Sequence, residues 1–366
     1  ESEVPQIRTR GGTFASLHNP NYRYLWTGSL FNTAGMWIQE VTIGWLVWEL
    51  SRSATMVGVA SSLRFVPFIF VGPLAGVAAD RMDRRHLLMI TQTAMAVAAV
   101  LFAVVVALDW VRVWHAMVYS FVMGCGFAMN SPVRQSLIAN TVPLRELGNA
   151  IALNATAVQA TRIIGPAAGG MLIITFGEAG NFLLQAVLYL CMVAVIFPMK
   201  VPYRDAVTAS AGSAFFSLKE GLRYIWGDKT MLSLVMMSFI PSLFVMPILQ
   251  IMSAFTAEVL HAQANIYGYL ITSFGVGALL ASLTMASFGG AIRSGWLGIA
   301  ALLCAALFVI LFSQSTVLWA AFLLLAALGF SQLIFRVNNN TLVQTLAPDA
   351  LRGRVLAIYQ ADHALM

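Results

Sequence analysis

Charge is scarce in this chain of 366 residues: Asp, Glu, Lys and Arg make up only 10%, against 59% hydrophobic residues and a mean hydropathy of +0.80. No water-soluble fold of this length hides that much apolar surface, so a sizeable soluble catalytic or binding domain is excluded. Cysteine is nearly absent as well. Cys125, Cys191 and Cys304 all lie in apolar runs without metal-like spacing, which argues against a disulfide framework and against a zinc site. His18, His86, His115 and His261 are scattered without partners at ligand spacing, so a membrane enzyme has no reaction centre to work with. A nucleotide cradle is missing too, because the nearest stretch, Gly221 to Thr230, ends Gly-Asp-Lys-Thr and lacks the Gly-Lys-Thr turn of an ATP-driven pump. No cofactor and no metal are called for. The N-terminal run shows no cleavable signal pattern: Glu1 to Gly12 is polar and the first apolar stretch is a full span.

Long apolar runs are what the chain has instead. They fall at Tyr24 to Trp48, Thr55 to Ala79, His86 to Leu108, Val113 to Ser131, Gly148 to Phe176 and Asn181 to Pro198, then at Met231 to Phe255, Ile266 to Phe288, Trp296 to Phe312 and Val317 to Phe335. Each is long enough to cross a bilayer as a helix. With the N-terminus in the cytoplasm, the inner segments collect nearly all the basic residues from Arg8 to Arg354, while the outer ones receive only Arg52 and Arg112. That asymmetry orients the protein. The net charge of +6 is therefore a topology signal and not a nucleic-acid footprint. All the tryptophans except Trp37 lie near span ends, where amphipathic rings favour the headgroup level.

The sequence also repeats itself. Ser136-Leu-Ile-Ala-Asn-Thr-Val-Pro143 with Gly148-Asn-Ala-Ile-Ala-Leu153 resembles Thr341-Leu-Val-Gln-Thr-Leu-Ala-Pro348 with Gly353-Arg-Val-Leu-Ala-Ile358, an offset of about 205 residues. Val57-Gly58 and Tyr267-Gly268 give a weaker match at a similar offset. An even number of spans fits in that offset, so the halves share an orientation and are expected to be related by a pseudo-two-fold along the membrane normal. The expected fold is thus all-α and integral to the membrane, two six-helix bundles with the second cut short inside helix eleven. The ends read as trimmed. The expected divisions are a cytoplasmic N-terminal segment at 1–23, an N-terminal six-helix bundle at 24–199, a cytoplasmic linker at 200–230 and a C-terminal bundle at 231–366. Within the linker Phe215, Leu218, Leu222 and Ile225 share a face opposite Lys219, Glu220 and Arg223, after a possible cap at Ser213, which fits a surface-lying helix as well as a plain tether.

Ionisable groups in a hydrocarbon layer are costly and point to function. Glu40, Arg64 and Arg162 are mid-span in the complete helices, and Asp362 and His363 lie in the eleventh. Glu40 is about 13 Å from the outer end of its helix, Arg64 about 14 Å from the outer end of its own, and Arg162 about 21 Å up from the inner end of helix five. They share a level. Helix one adds a stripe of Asn32, Met36, Gln39 and Ile43 with Glu40 at its border, and Asn and Gln do not belong on a lipid-facing stripe. Arg162, Gly165 and Gly169 share a face on helix five, where small residues admit a neighbouring helix. The expected site for substrate or proton is therefore Glu40, Arg64, Arg162, Asn32, Met36, Trp37 and Gln39. Two roles for Glu40 stay open: neutralising a buried arginine, or exchanging a proton or meeting a cationic substrate. Trp37 likewise reads as packing or as a stacking surface.

After helix two comes Gly76-Val-Ala-Ala-Asp80-Arg81-Met-Asp83-Arg84-Arg85. Gly76 permits tight helix packing, Asp80 is placed to accept from the N–H groups of a helix start, and the arginines anchor the turn inside. This run resembles the signature loop between helices two and three of the major facilitator superfamily, with Asp83 where that family usually has Gly. Gly165-Pro166-Ala-Ala-Gly169-Gly170 is similar to the core of the antiporter motif, although Ala152 and Thr161 replace its earlier glycines. Asn19-Pro-Asn-Tyr-Arg23, Trp45-Leu-Val-Trp-Glu-Leu50, Ser131-Pro-Val-Arg-Gln135 and Pro348-Asp-Ala-Leu-Arg-Gly-Arg-Val355 resemble the bacterial branch with enterobactin-exporter-like and macrolide-efflux-like permeases.

The resemblance covers essentially the whole chain. It implies a rocker-switch secondary transporter in the bacterial inner membrane, a monomer exporting an amphipathic small molecule (drug, macrolide or siderophore) against proton entry. It further implies that Asp80 caps the start of helix eleven near Leu351 to Val355, and that Gly165, Pro166 and Gly169 form a contact between helices two and five that limits leakage. Proton-independent or uptake permeation, lipid flipping, and a non-transporting scaffold or sensor are the alternatives.

Overall fold

In the computed structural model, residues 14–71, 78, 82–143, 146–200, 220, 222–292, 295–348, 351, 355 and 358–359 are described, and they are almost wholly helical. A short 3-10 turn, Ala15–His18, leads into α1, Pro20–Ser51. Asn19 caps α1 by accepting from the Asn21 N–H, and Pro20 supplies the φ that a first helical turn needs. α2, Ala54–Leu63, is interrupted at Arg64 and Phe65 before helical backbone resumes at 66–71. Pro67 explains the interruption, since it has no N–H to give the carbonyl four residues back. α3 is Arg84–Ala107 and α4 is Val113–Thr141.

The stretch Leu147–Ile196 is one run of helix broken at Gly177, whose φ of 68° suits a residue without a Cβ. We label the parts before and after Gly177 α5 and α6. They form a hairpin, because Gly165 and Tyr189, equally far from the break on either side, both pack on α1, at Trp37 and Gly35. α7 is Lys229–Phe244, prolonged by the short segments Met246–Gln250 and Met252–Glu258; Asp228 caps its start. α8 is Ala264–Ile292, α9 is Gly295–Ser313 and α10 is Leu318–Leu346.

Among the described residues seven helical stretches are long and apolar enough to cross a membrane, with the α5–α6 hairpin taken as one. α1 and α4, at 32 and 29 residues, are long enough but too polar to be among them, for reasons the site makes plain. Four packing clusters organise the core. Two are built almost entirely from α1–α6, with Phe102 stacked on Tyr119 and Phe182 edge-on to both, at ring separations of 4.3 to 5.3 Å. A third joins α7 to α10 and takes in Val41 of α1 and Ile173 of α5. The fourth, with Met231, Val235 and Val343, also buries Ile225, Val355 and Tyr359. Of the amphipathic linker face, then, Ile225 packs inward and Leu222 is exposed, while Phe215 and Leu218 lie outside the described residues.

Two expectations need correcting. Helices four and ten do not stop at Ser131 and Phe335 but continue to Thr141 and Leu346. Hydropathy measures what faces lipid, and a helix running on between protein neighbours carries polar residues without ending. Among the described residues the glycine motif of α5, moreover, packs not on α2 but elsewhere: Gly165 and Gly169 lie against Trp37 and Ile38 of α1, and Gly170 against Ala264 and Gly268 of α8. The small face is used for close approach as expected, with different partners. A Cβ at Gly170 would sit 2.5 Å from the Ala264 carbonyl, and one at Gly268 would strike the Pro166 carbonyl. Gly268→Val is expected to cost about 1–3 kcal/mol through overpacking, seen as a lower melting temperature in detergent; an unchanged value would show that this contact gives way freely.

Candidate functional site

The interruption of α2 sets the site. It leaves Arg64 at the helix end, where its guanidinium pairs with the Glu40 carboxylate of α1. The two side chains are only 16% and 15% exposed, so the pair is formed largely out of water. The Phe65 ring lies 4.9 Å from the guanidinium carbon and covers another side of it. Breaking such a pair by removing one partner strands a buried charge, which costs more than the pair itself contributes.

The pair faces a cavity of about 270 Å³, room for several waters or a small organic group. Its walls come from both ends of the chain. Met36, Trp37 and Glu40 of α1, Arg64 and Arg162 of α5 form one side; Met246, Leu249 and Gln250 of α7, Tyr267, Ile271 and Phe274 of α8, and Arg336 of α10 form the other. Arg162 lies between the rings of Trp37 and Phe274, 5.9 Å from each centroid. Trp37 packs through its Cβ against Gly165 and also lines the cavity. A second cavity of about 190 Å³ shares Met36 and Arg64 with the first and adds Asn32, Asn130 and Arg134. Arg64 therefore stands in the wall between two chambers.

The polar stripe of α1 splits between cavity and packing. Gln39 is buried and accepts from Gln185 Nε2 of α6 at 2.6 Å, while Gln185 Oε1 accepts from the Tyr119 hydroxyl of α4 at 2.8 Å and its Nε2 also meets the Tyr189 hydroxyl at 3.0 Å. Asn32 accepts from Gln92 Nε2 of α3 at 2.6 Å. Asn181 of α6 donates to Thr42 at 2.9 Å and to the Gly169 carbonyl at 3.0 Å. Gln39 is thus a packing residue outside the cavity wall, Asn32 borders only the second chamber, and Met36, Trp37, Glu40, Arg64 and Arg162 do come together. The network holds α1 in register, and it makes α1 and α4 more polar than their neighbours.

Sequence reading missed Arg336, Arg134, Tyr267 and Phe274. Hydropathy alone puts both arginines in inner segments, because the apolar runs stop just before them. Their signal was the repeat itself, which places a helix continuation at the same point of each half.

Of the signature loop, Gly76, Asp80 and Arg81 lie outside the described residues. Asp83 does what a glycine cannot: its carboxylate caps α3, accepting from the N–H groups of Arg85 at 2.8 Å and His86 at 3.2 Å. Arg85 reaches across to the Phe197 carbonyl at the end of α6, with its guanidinium over that ring at 5.6 Å. Arg84 begins α3 beside it.

A charged cavity enclosed by membrane helices from both halves of a chain is the architecture of a small-molecule transporter. The chain belongs to the major facilitator superfamily, matching over residues 11–364 the family described as transmembrane secretion effector. It is 22% identical over 354 residues to the staphyloferrin A transporter of Staphylococcus aureus, covering 94% of this chain and 86% of that one. It is 24% identical over 346 residues to the multidrug efflux pump Tap of Mycolicibacterium fortuitum, covering 89% and 81%. Macrolide efflux protein A of Streptococcus pyogenes matches at 22% over 269 residues, 72% of this chain and 66% of that one. Among solved structures, an inward-facing, unoccupied bacterial homolog of the human lysosomal transporter Spinster superposes with a TM-score of 0.73 at 15% identity, covering 94% of this chain and 80% of that one. A D-xylose-proton symporter does so at 0.68 and 17%, covering 94% and 87%. The fold is theirs, and the protein is a multi-pass bacterial membrane transporter and not an enzyme.

Gln185→Leu tests the division between packing and cavity. It orphans the Gln39 carbonyl and two tyrosine hydroxyls, at about 1–3 kcal/mol for a buried unsatisfied group. The melting temperature is expected to fall while flux per folded molecule stays; a loss of flux at normal melting temperature would place this network in transport.

Proposed function

We propose that the protein is a proton-coupled exporter of an amphipathic small molecule, working by alternating access about the central cavity. The observation that carries this is the Glu40–Arg64 pair in a cavity lined from both halves of the chain. A proton arriving at Glu40 removes the carboxylate's charge and leaves Arg64 a cation without its partner. The protonated arrangement is then disfavoured as packed, and α1 and α2 gain a reason to move. Relatives named for efflux support the outward direction.

The Gly170–Gly268 and Pro166 contact between α5 and α8 would close the end of the cavity nearest the α5–α6 hairpin. With the N-terminus in the cytoplasm of a bacterial cell, that closed end is the outer one and the protein rests open to the inside, acting as a monomer. In this reading residues 24–199 and 231–366 rock against each other, with 200–230 as the connection. Asp80 with Arg81, Arg84 and Arg85 would lock the inner face when it closes.

A second reading has its own support. A cavity of about 260 Å³ lies between α2, at Gly58, Ser62 and Phe65, and α7, at Ser242, Met246, Pro247 and Gln250. It shares Met246 and Gln250 with the central cavity. A passage between helices at this level suits entry from the bilayer, and so suits lipid movement without proton coupling.

Proteoliposome flux with and without an imposed pH gradient separates the two. Wild-type flux is expected to follow the gradient, and Glu40→Gln is expected to abolish gradient-driven efflux while the protein remains expressed and folded. Flux indifferent to the gradient favours the lipid-movement reading, and unchanged efflux in Glu40→Gln reduces the pair to a structural role.

A further inference from the structure

The charges of the central cavity do not balance. Among its described lining residues one carboxylate, Glu40, faces three guanidinium groups, those of Arg64, Arg162 and Arg336. Glu40 is committed to Arg64. Arg162 and Arg336 are close enough to act on one another electrostatically, and neither forms an ion pair or hydrogen bond among the described residues. Two like charges sharing a partly buried space are unfavourable until something negative enters. The second chamber has the same sign: Arg134, whose Nη1 is buried without a hydrogen-bond partner, lines it together with Arg64. No Asp or Glu is among that chamber's described lining residues.

Resting on the reading of this cavity as the transport site, we propose that it takes an amphipathic organic anion, its carboxylate or other oxyanion held between Arg162 and Arg336, and rejects amphipathic cations. A planar guanidinium offers paired N–H donors that match a two-oxygen group. Trp37 and Phe274 lie 5.9 Å from the Arg162 guanidinium carbon and neither accepts its N–H hydrogens as an oxyanion would. Apart from Gln250 the rest of the wall, Met36, Leu249, Ile271 and Tyr267 among it, is apolar or aromatic and suits an apolar body attached to the anion. Arg134 then extends the same attraction into the second chamber. Because Glu40 is occupied, a cation would have to displace Arg64 from it while sitting beside two further positive charges.

The test compares carboxyfluorescein, an aromatic polycarboxylate, with tetraphenylphosphonium, an aromatic cation, by equilibrium binding to the purified protein in detergent. Carboxyfluorescein is expected to bind and tetraphenylphosphonium not to. Arg162→Gln and Arg336→Gln are each expected to weaken the dye about tenfold, in line with loss of one charge-assisted contact, with Arg336→Lys losing less than Arg336→Gln. The wild-type comparison needs no variant to fold, and raised salt should weaken dye binding. If added phosphatidylglycerol competes with the dye, the oxyanion class stands with a lipid headgroup as a source; if it does not, the class stands with a soluble anion.

Preference for tetraphenylphosphonium, or dye binding indifferent to both arginines, overturns the proposal. So does binding of neither probe by folded protein. Asp362 and His363 lie outside the described residues. The two proposals fail separately. Gradient-driven flux of the cation would keep the exporter reading and remove the anion site, while arginine-dependent dye binding without gradient-driven flux would keep the anion site and remove proton coupling.

Discussion

A largely buried ion pair between neighbouring helices is the constraint around which the first half of the protein is arranged. Glu40 and Arg64 meet because Pro67 stops α2 and leaves Arg64 turned toward α1. A carboxylate and a guanidinium in so little water are tolerable only together. Everything nearby then serves to bring them together and keep lipid away. Phe65 covers the guanidinium, and α5 presses its glycine face on α1 so that Trp37 and Arg162 enter the same space.

Behind the pair stands a set of neutral hydrogen bonds that fixes α1 among α3, α4, α5 and α6. Gln92 with Asn32, Gln185 with Gln39, and Asn181 with Thr42 are each fully internal. In a membrane the apolar effect does little to choose between helix registers, since lipid tails are as apolar as leucine. Polar pairs and close small-residue contacts do the choosing. Helix one can therefore keep an acid near mid-membrane: its Asn32, Gln39 and Thr42 side chains are paired with protein, and its lowered hydropathy follows from what it has to hold. The second half contributes differently. It closes the cavity with aromatic and apolar side chains of α8 and brings one more cation, Arg336.

The charges on α1, α2 and α5 were legible in the sequence, and so was their common depth, because a rise of about 1.5 Å per residue turns position into height once span ends are known. The hairpin at Gly177 and the long spans followed from apolar runs. Arg336 and Arg134 were not legible by the same rule, since a run of apolar residues ends where the lipid-facing requirement ends, whereas α10 and α4 go on as helix between neighbours. Nor could the sequence tell which of Asn32, Met36 and Gln39 face a cavity and which face a helix. All three lie on one broad stripe, and only the placement of Gln92 and Gln185 divides it. The partner of the α5 glycine face was misassigned for a related reason: small residues announce close approach without saying to what. Asp83, in contrast, departs from the resembling family's glycine and turns out to be an ordinary helix cap.

The central claim, that Glu40 and Arg64 are energetically one unit, is tested most directly by a double-mutant cycle on thermal stability in detergent, using Glu40→Gln, Arg64→Gln and the combination. Each single change strands one charged or polar partner and is expected to lower the melting temperature clearly, while the combined variant regains most of the loss. Strictly additive losses, with the double variant as unstable as the sum of its parts, would contradict the account.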